Sequence, residues 1–141
     1  CEPLSKDFDY QFLKHGLSKS KSMVKSKLLD QSFIAGLGNI YVDESLWLAK
    51  IHPEKKSDTI SGIKIRRLSD AIPMILKKAI EHNGTTIINF SFGNDSIGSY
   101  KEKLNVFGKT GEVCIRCKKS KIVKIFVSQR GTHFCSRCQK K

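Results

Sequence analysis

Two Cys-x-x-Cys pairs, Cys114 with Cys117 and Cys135 with Cys138, stand seventeen residues apart near the end of a 141-residue chain. Within each pair a tight turn aims both sulfurs at one point. Four thiolates in two such pairs are the ligand set of a closed tetrahedral Zn²⁺ site, with disulfides or an iron–sulfur cluster as the other readings. The fifth cysteine, Cys1, stands alone. An odd count without a secretory signal fits a reducing compartment, where thiols stay free to bind metal. Between the pairs, Lys121–Val127 and Thr132–Phe134 read as two short strands turning near Gln129-Arg130-Gly131. A hairpin this small has no core of its own, so the ion must staple it. His133 is a conceivable substitute ligand, but four cysteines already fill the shell.

Charge narrows the partner. Twenty-six Lys and Arg against thirteen Asp and Glu leave +13, and residues 109–141 alone hold ten basic residues against Glu112. Such an excess points to a polyanion, although charge by itself does not choose among DNA, RNA and a membrane surface. No apolar run reaches the ~20 residues of a bilayer span, and the first residues have neither the charged nor the apolar region of a signal peptide. The expected setting is intracellular, cytoplasmic and nucleoid-associated, with no membrane partner.

The remaining chain reads as helices. Residues 1–20 form a lead-in, with a short apolar pattern at Tyr10, Phe12 and Leu13 ended by Gly16. Lys19, Lys21, Lys25 and Lys27 then alternate with Met23, Val24, Leu28 and Leu29, which predicts an amphipathic helix with an outward basic face. Gly36 and Gly38 make a turn open to positive φ, and Asn39 is a favoured N-cap for a second helix running to Lys50. A helix N-terminus beside bare amides suits a phosphate; a plain helical corner inside a core is the other reading. Asp43 and Glu44 are expected in the first turn of that helix, where negative charge favours its dipole, and point about 100° apart, too far to serve as a catalytic pair. His52 beside Pro53 is expected to be structural. Ile65, Leu68, Ile72, Ile75, Leu76, Ala79 and Ile80 mark the longest helix, with a bend or junction expected at Pro73 and a stop at Asn83-Gly84. The polar, glycine-spaced stretch after it, including Gly98 and Tyr100, reads as a mobile loop, of a kind that often carries function, with a plain surface loop as the other reading.

The phrase Leu29-Asp30-Gln31, then Ala35-Gly36-Leu37-Gly38-Asn39-Ile40-Tyr41, then Asp43-Glu44 resembles the helix–two-turn–helix module of the formamidopyrimidine-DNA glycosylase / endonuclease VIII family. Ile51-His52-Pro53 and Leu104-Asn105-Val106-Phe107-Gly108 continue the resemblance, with Phe107 where the family usually has Tyr. The four cysteines match the family's zinc finger, except that Lys118 replaces a small residue and the spacing looks one residue longer. The resemblance implies a mostly α fold: a helix–two-turn–helix domain over 21–108, then a four-cysteine zinc-finger β-hairpin over 109–141. Residues 1–20 would lead in from a missing N-terminal catalytic domain. It implies DNA-backbone contacts at Lys21, Lys25, Gly38, Asn39 and Arg130, a lesion-capping loop at Gly98 and Tyr100, and a part for Arg130 in δ-elimination.

In the family the nucleophile is an N-terminal proline amine followed by glutamate. Here Pro3 sits within Glu2-Pro3-Leu4-Ser5, which resembles the segment joining the two halves, so it is assigned no catalysis. The implied function is that of a monomeric C-terminal half. Its parent would be a bifunctional glycosylase/AP lyase removing oxidised purines such as 8-oxoguanine and formamidopyrimidine, acting on duplex DNA with damaged bases or abasic sites. The half alone is expected to be inactive. The other class is a freestanding zinc-ribbon module that binds DNA or RNA without catalysis.

Overall fold

The computed structural model of the chain describes residues 1–83 and 103–141. Four helices, α1 (Tyr10–Ser18), α2 (Val24–Leu29), α3 (Asn39–Ala49) and α4 (Gly62–Asn83), precede a two-stranded antiparallel hairpin of β1 (Ile122–Val127) and β2 (Arg130–Cys135). Gly98 and Tyr100 lie outside the described residues. Among the described residues no helix is long and apolar enough to cross a membrane.

The segment expected to be a lead-in is part of the helical body. Asp9 caps α1 by accepting from the Phe12 amide at 2.9 Å, and the helical spacing of Leu13 and Leu17 puts both wholly inside the main core. The N-terminal residue is tied down as well: the Cys1 carbonyl accepts from the Ala35 amide at 2.8 Å. The basic helix is shorter than its pattern. Ser20 and Ser22 bond each other at 2.7 Å, and the Ser22 amide donates to Ser20 Oγ at 3.2 Å. Such local bonds compete with helix formation. The chain therefore stays extended through Met23, which bridges to Lys56, and α2 begins only at Val24.

In the glycine turn only Gly36 takes a positive φ, +80°, whereas Gly38 sits at −85° in extended backbone. A Cβ at Gly36 would meet nothing within 4 Å, so conformation rather than space demands glycine there. Gln31 Oε1 accepts from the Gly36 amide at 2.7 Å and fixes the turn. Gly38, not Asn39, occupies the N-cap position of α3, and Asn39 opens the helix. α4 runs unbroken through Pro73 as one 22-residue helix, contrary to the expected junction. Its Leu68 and Ile72 are fully buried, while Ile80, read as core, is 48% exposed.

α3 is the hub, packed against α2, α4 and β2. A helix buried on every side cannot leave a charge unpaired, and Asp43 and Glu44 are each only 1% exposed. Because α3 starts at Asn39, both lie beyond its first turn, and they act as anchors, not as dipole partners. Glu44 Oε1 accepts from the Asn105 amide (2.8 Å) and Nδ2 (3.1 Å), and Oε2 accepts from the amides of Val106 (2.8 Å) and Phe107 (2.9 Å). This carboxylate pins the segment leading into the hairpin. Glu44→Ala removes the acceptor of all four bonds at once, and the expected cost is about 3 kcal/mol, since a lost charged partner leaves its donors unsatisfied. A thermal melt checks it. An unchanged midpoint would show that the anchor contributes nothing.

Candidate metal centre and nucleic-acid interface

The sulfurs of Cys114, Cys117, Cys135 and Cys138 all lie within 4.8 Å of one another, with Cys114 and Cys138 at 3.9 Å and Cys117 and Cys135 at 3.7 Å. A tetrahedron with Zn–S of 2.3 Å has edges of about 3.8 Å, so the sulfur set fits zinc. Turn geometry makes this possible: the Lys118 amide donates to the Cys114 carbonyl at 2.8 Å and the Gln139 amide to the Cys135 carbonyl at 2.9 Å. Lys118 pays for its place with a left-handed φ of 57°, which explains why a small residue is usual there. The knuckle nevertheless closes.

Electrostatics around the sulfurs agree. The Lys119 and Ser120 amides hold the Cys117 thiol down at about 6, while burial pushes Cys135 up to about 12. A bound dication supplies the charge that burial denies the Cys135 thiolate. Arg116 Nε donates to Cys138 Sγ at 3.4 Å, and its guanidinium lies 3.9 Å over the Trp47 ring, which packs against Cys114 and Cys135. The Trp47 indole N–H faces the Cys114 sulfur and favours its thiolate, and Arg116 Nη2 is a buried donor without a hydrogen-bond partner among the described residues. Four thiolates around one Zn²⁺ leave a net charge of about −2, and donors beside such a cluster suit it. The protein's cofactor is one Zn²⁺ at these four cysteines. His133 is engaged elsewhere, as described next.

The hairpin docks on the helices through the free edge of β2. Gly131 carbonyl accepts from Asn39 Nδ2 at 3.0 Å and from Lys25 Nζ at 3.1 Å. Asp43 Oδ1 accepts from Lys25 Nζ at 2.7 Å; its Oδ2 accepts from the His133 amide at 2.9 Å and lies 3.1 Å from His133 Nδ1. Side chains of α2 and α3 thus take the place of a third strand. Gln139, fully buried, extends the seam by donating to the Ile51 carbonyl at 2.9 Å. His52, expected to be structural, accepts from the Glu54 amide and packs on Phe134.

The outward basic face is therefore corrected at Lys25, which is wholly buried. Burial lowers its pKa against the pull of Asp43, and nearby Arg130 lowers it further. Lys25 lies one helical step from the residues that contact solvent, and Asp43 draws it inward. Arg130 is exposed at the start of β2, beyond a two-residue turn of Ser128 and Gln129, both at positive φ. Right-twisted hairpins favour that geometry. Gly38 is exposed beside Asn39, so the α3 N-terminus and the hairpin tip share one surface through the Gly131 carbonyl. Lys21 is exposed ahead of α2, and among the described residues no hydrogen bond or ion pair joins it to the others. Sequence reasoning missed Asp43 and His133. The available signal was a carboxylate set in the apolar run Ile40-Tyr41-Val42 and Leu46-Trp47-Leu48.

The family model described as the formamidopyrimidine-DNA glycosylase H2TH domain matches residues 1–91, and the zinc finger found in FPG and IleRS matches 111–141. Formamidopyrimidine-DNA glycosylase of Lactococcus lactis subsp. lactis is 49% identical over 140 residues, 99% of this chain and 51% of its own length. That of Herpetosiphon aurantiacus is 44% identical over 138 residues, 98% and 50% respectively. The crystal structure of Lactococcus lactis FPG with FAPY-dG-containing DNA superposes with a TM-score of 0.87 at 48% identity, covering 99% of this chain and 50% of that one. A complex of Lactococcus lactis Fpg with abasic-site DNA gives 0.86 at 47% identity, with coverage of 99% and 51%. The chain spans about half the length of the curated relatives it matches. With an H2TH core and this zinc finger along nearly its whole length, the chain belongs to the formamidopyrimidine-DNA glycosylase family.

Proposed function

We propose that this chain is the DNA-gripping C-terminal half of a base-excision glycosylase/AP lyase that acts on oxidised purines, and that it binds duplex DNA at lesions and abasic sites as a monomer. One observation carries the reading: Asn39 and the residue next to Arg130 meet at the Gly131 carbonyl. A helix N-terminus and a forked guanidinium on one surface make a grip for successive phosphates. Gly38 offers close backbone approach, Asn39 keeps a second amide hydrogen for a phosphate oxygen, and Lys21 adds charge at the periphery. Lys25 acts through the hairpin by holding Gly131, not on the phosphate itself. Arg130 takes the phosphate beside the lesion and, by family likeness, a part in δ-elimination. Gly98 and Tyr100 keep the role of lesion-capping loop in this proposal.

Binding should favour duplex with a tetrahydrofuran abasic analogue over intact duplex and over structured RNA. Anisotropy titrations across a salt series test it. With about four phosphates neutralised, the slope of log K against log salt is expected near −3 to −4, and Arg130→Ala should reduce its magnitude by about one. Equal affinity for RNA would favour the freestanding zinc-ribbon module instead.

A further inference from the structure

We propose that Phe126, one residue pair from the hairpin turn, is a stacking platform for a nucleotide of the bound strand. The proposal rests on the DNA-binding reading above. Phe126 is 70% exposed, more than any other large apolar side chain among the described residues, and it covers no part of either core. Its place is set by register. Phe126 pairs with Gly131 across the hairpin, and the next pair, Val127 with Arg130, closes the turn.

Side chains of directly opposed residues share a face, and Gly131 brings none, so the space over the glycine beside the ring is left to Lys124. A Cβ at Gly131 would come within 3.0 Å of Lys124 Cε, which shows that the Lys124 stem lies across the glycine. Its Nζ sits 5.4 Å from the Phe126 ring centroid. The ring thus lies beside a cation one residue pair from the turn, on the face of the hairpin opposite to Arg130. The same Gly131 is the residue whose carbonyl Asn39 and Lys25 hold, so Phe126 rides on the fixed part of the hairpin.

The surroundings select the occupant. From Val113 to Lys141 there is no acidic residue, and Lys121, Lys124 and Arg130 are all exposed on the hairpin. A bare aromatic amid cations fits a ligand that carries both a π-face and a phosphate, which is a nucleotide. An apolar protein surface would have to leave those cations unpaired.

Anisotropy binding of the zinc-loaded chain to duplex carrying the abasic analogue, over a salt series, provides the test. Phe126→Ala should weaken binding about tenfold at every salt concentration with the slope unchanged, because stacking releases no counterion. Phe126→Trp should retain affinity, and its emission, after subtraction of wild-type Trp47, should be quenched on binding. Zinc content and melting of both variants should match the wild type, as the ring is exposed. Wild-type affinity in Phe126→Ala, a changed slope, or an unquenched Phe126→Trp overturns the proposal while the slope change of Arg130→Ala keeps the DNA-binding reading. If the unsubstituted chain shows neither abasic preference nor salt dependence, both fall together.

Discussion

Stripping the zinc, or replacing Cys135 by Ser, should collapse the hairpin and abolish selective DNA binding while the helices stay folded. Two strands alone are marginal in water, and the buried apolar side chains after position 108 outside the sulfur cluster are just Val127 and Phe134. Zinc binding in finger peptides releases on the order of 10–16 kcal/mol, more than the seam along β2 can replace. The helical core is a separate cluster built on α1 to α4, and it contains none of the four cysteines. Trp47, the chain's single tryptophan, gives the readout, since it packs against Cys114 and Cys135 beneath Arg116. Chelation should red-shift its emission and leave the far-ultraviolet helical signal largely intact. Metal analysis should find one equivalent before treatment and less than half in Cys135→Ser. Retention of zinc by Cys135→Ser, or loss of the helices together with the hairpin, would overturn this division.

What the sequence disclosed was what is local. The cysteine spacing encodes the metal site because each pair closes within one turn. Gly36 was readable because a positive φ leaves few other residues possible, and Leu68 and Ile72 because a helix repeats its apolar face every three or four residues. What stayed hidden depends on partners far along the chain. Lys25 and Lys21 look alike in a basic pattern, yet Lys25 meets Gly131 across 106 positions. Asp43 meets the His133 amide across 90. Periodicity ranks faces of one helix; it says nothing about a strand edge that arrives later and needs acceptors and donors. The expected helix over Lys19–Met23 failed for a local reason that was visible, two serines able to bond each other, but it was outweighed by the lysine spacing.

Asp43→Ala should be the most damaging single substitution outside the metal ligands. It leaves the Lys25 ammonium, which is 0% exposed, without its counter-ion and removes the acceptor of the His133 amide in the same stroke. Breaking one side of a buried ion pair costs about 3–5 kcal/mol, because the stranded charge keeps its desolvation penalty. Chemical denaturation measures this, and a loss under about 1 kcal/mol would mean that water reaches the pair. The double variant Lys25→Met with Asp43→Leu should recover part of the stability, since apolar replacement of a buried pair is often neutral. DNA binding should not recover with it. Gly131 then keeps Asn39 as its donor but has lost Lys25, and the His133 amide has lost its acceptor, so the hairpin tip is free to shift. The salt slope of the double variant should accordingly stay about one unit shallower than that of the wild type. Restoration of both stability and slope would show that the Lys25–Asp43 pair holds the fold together without placing Arg130.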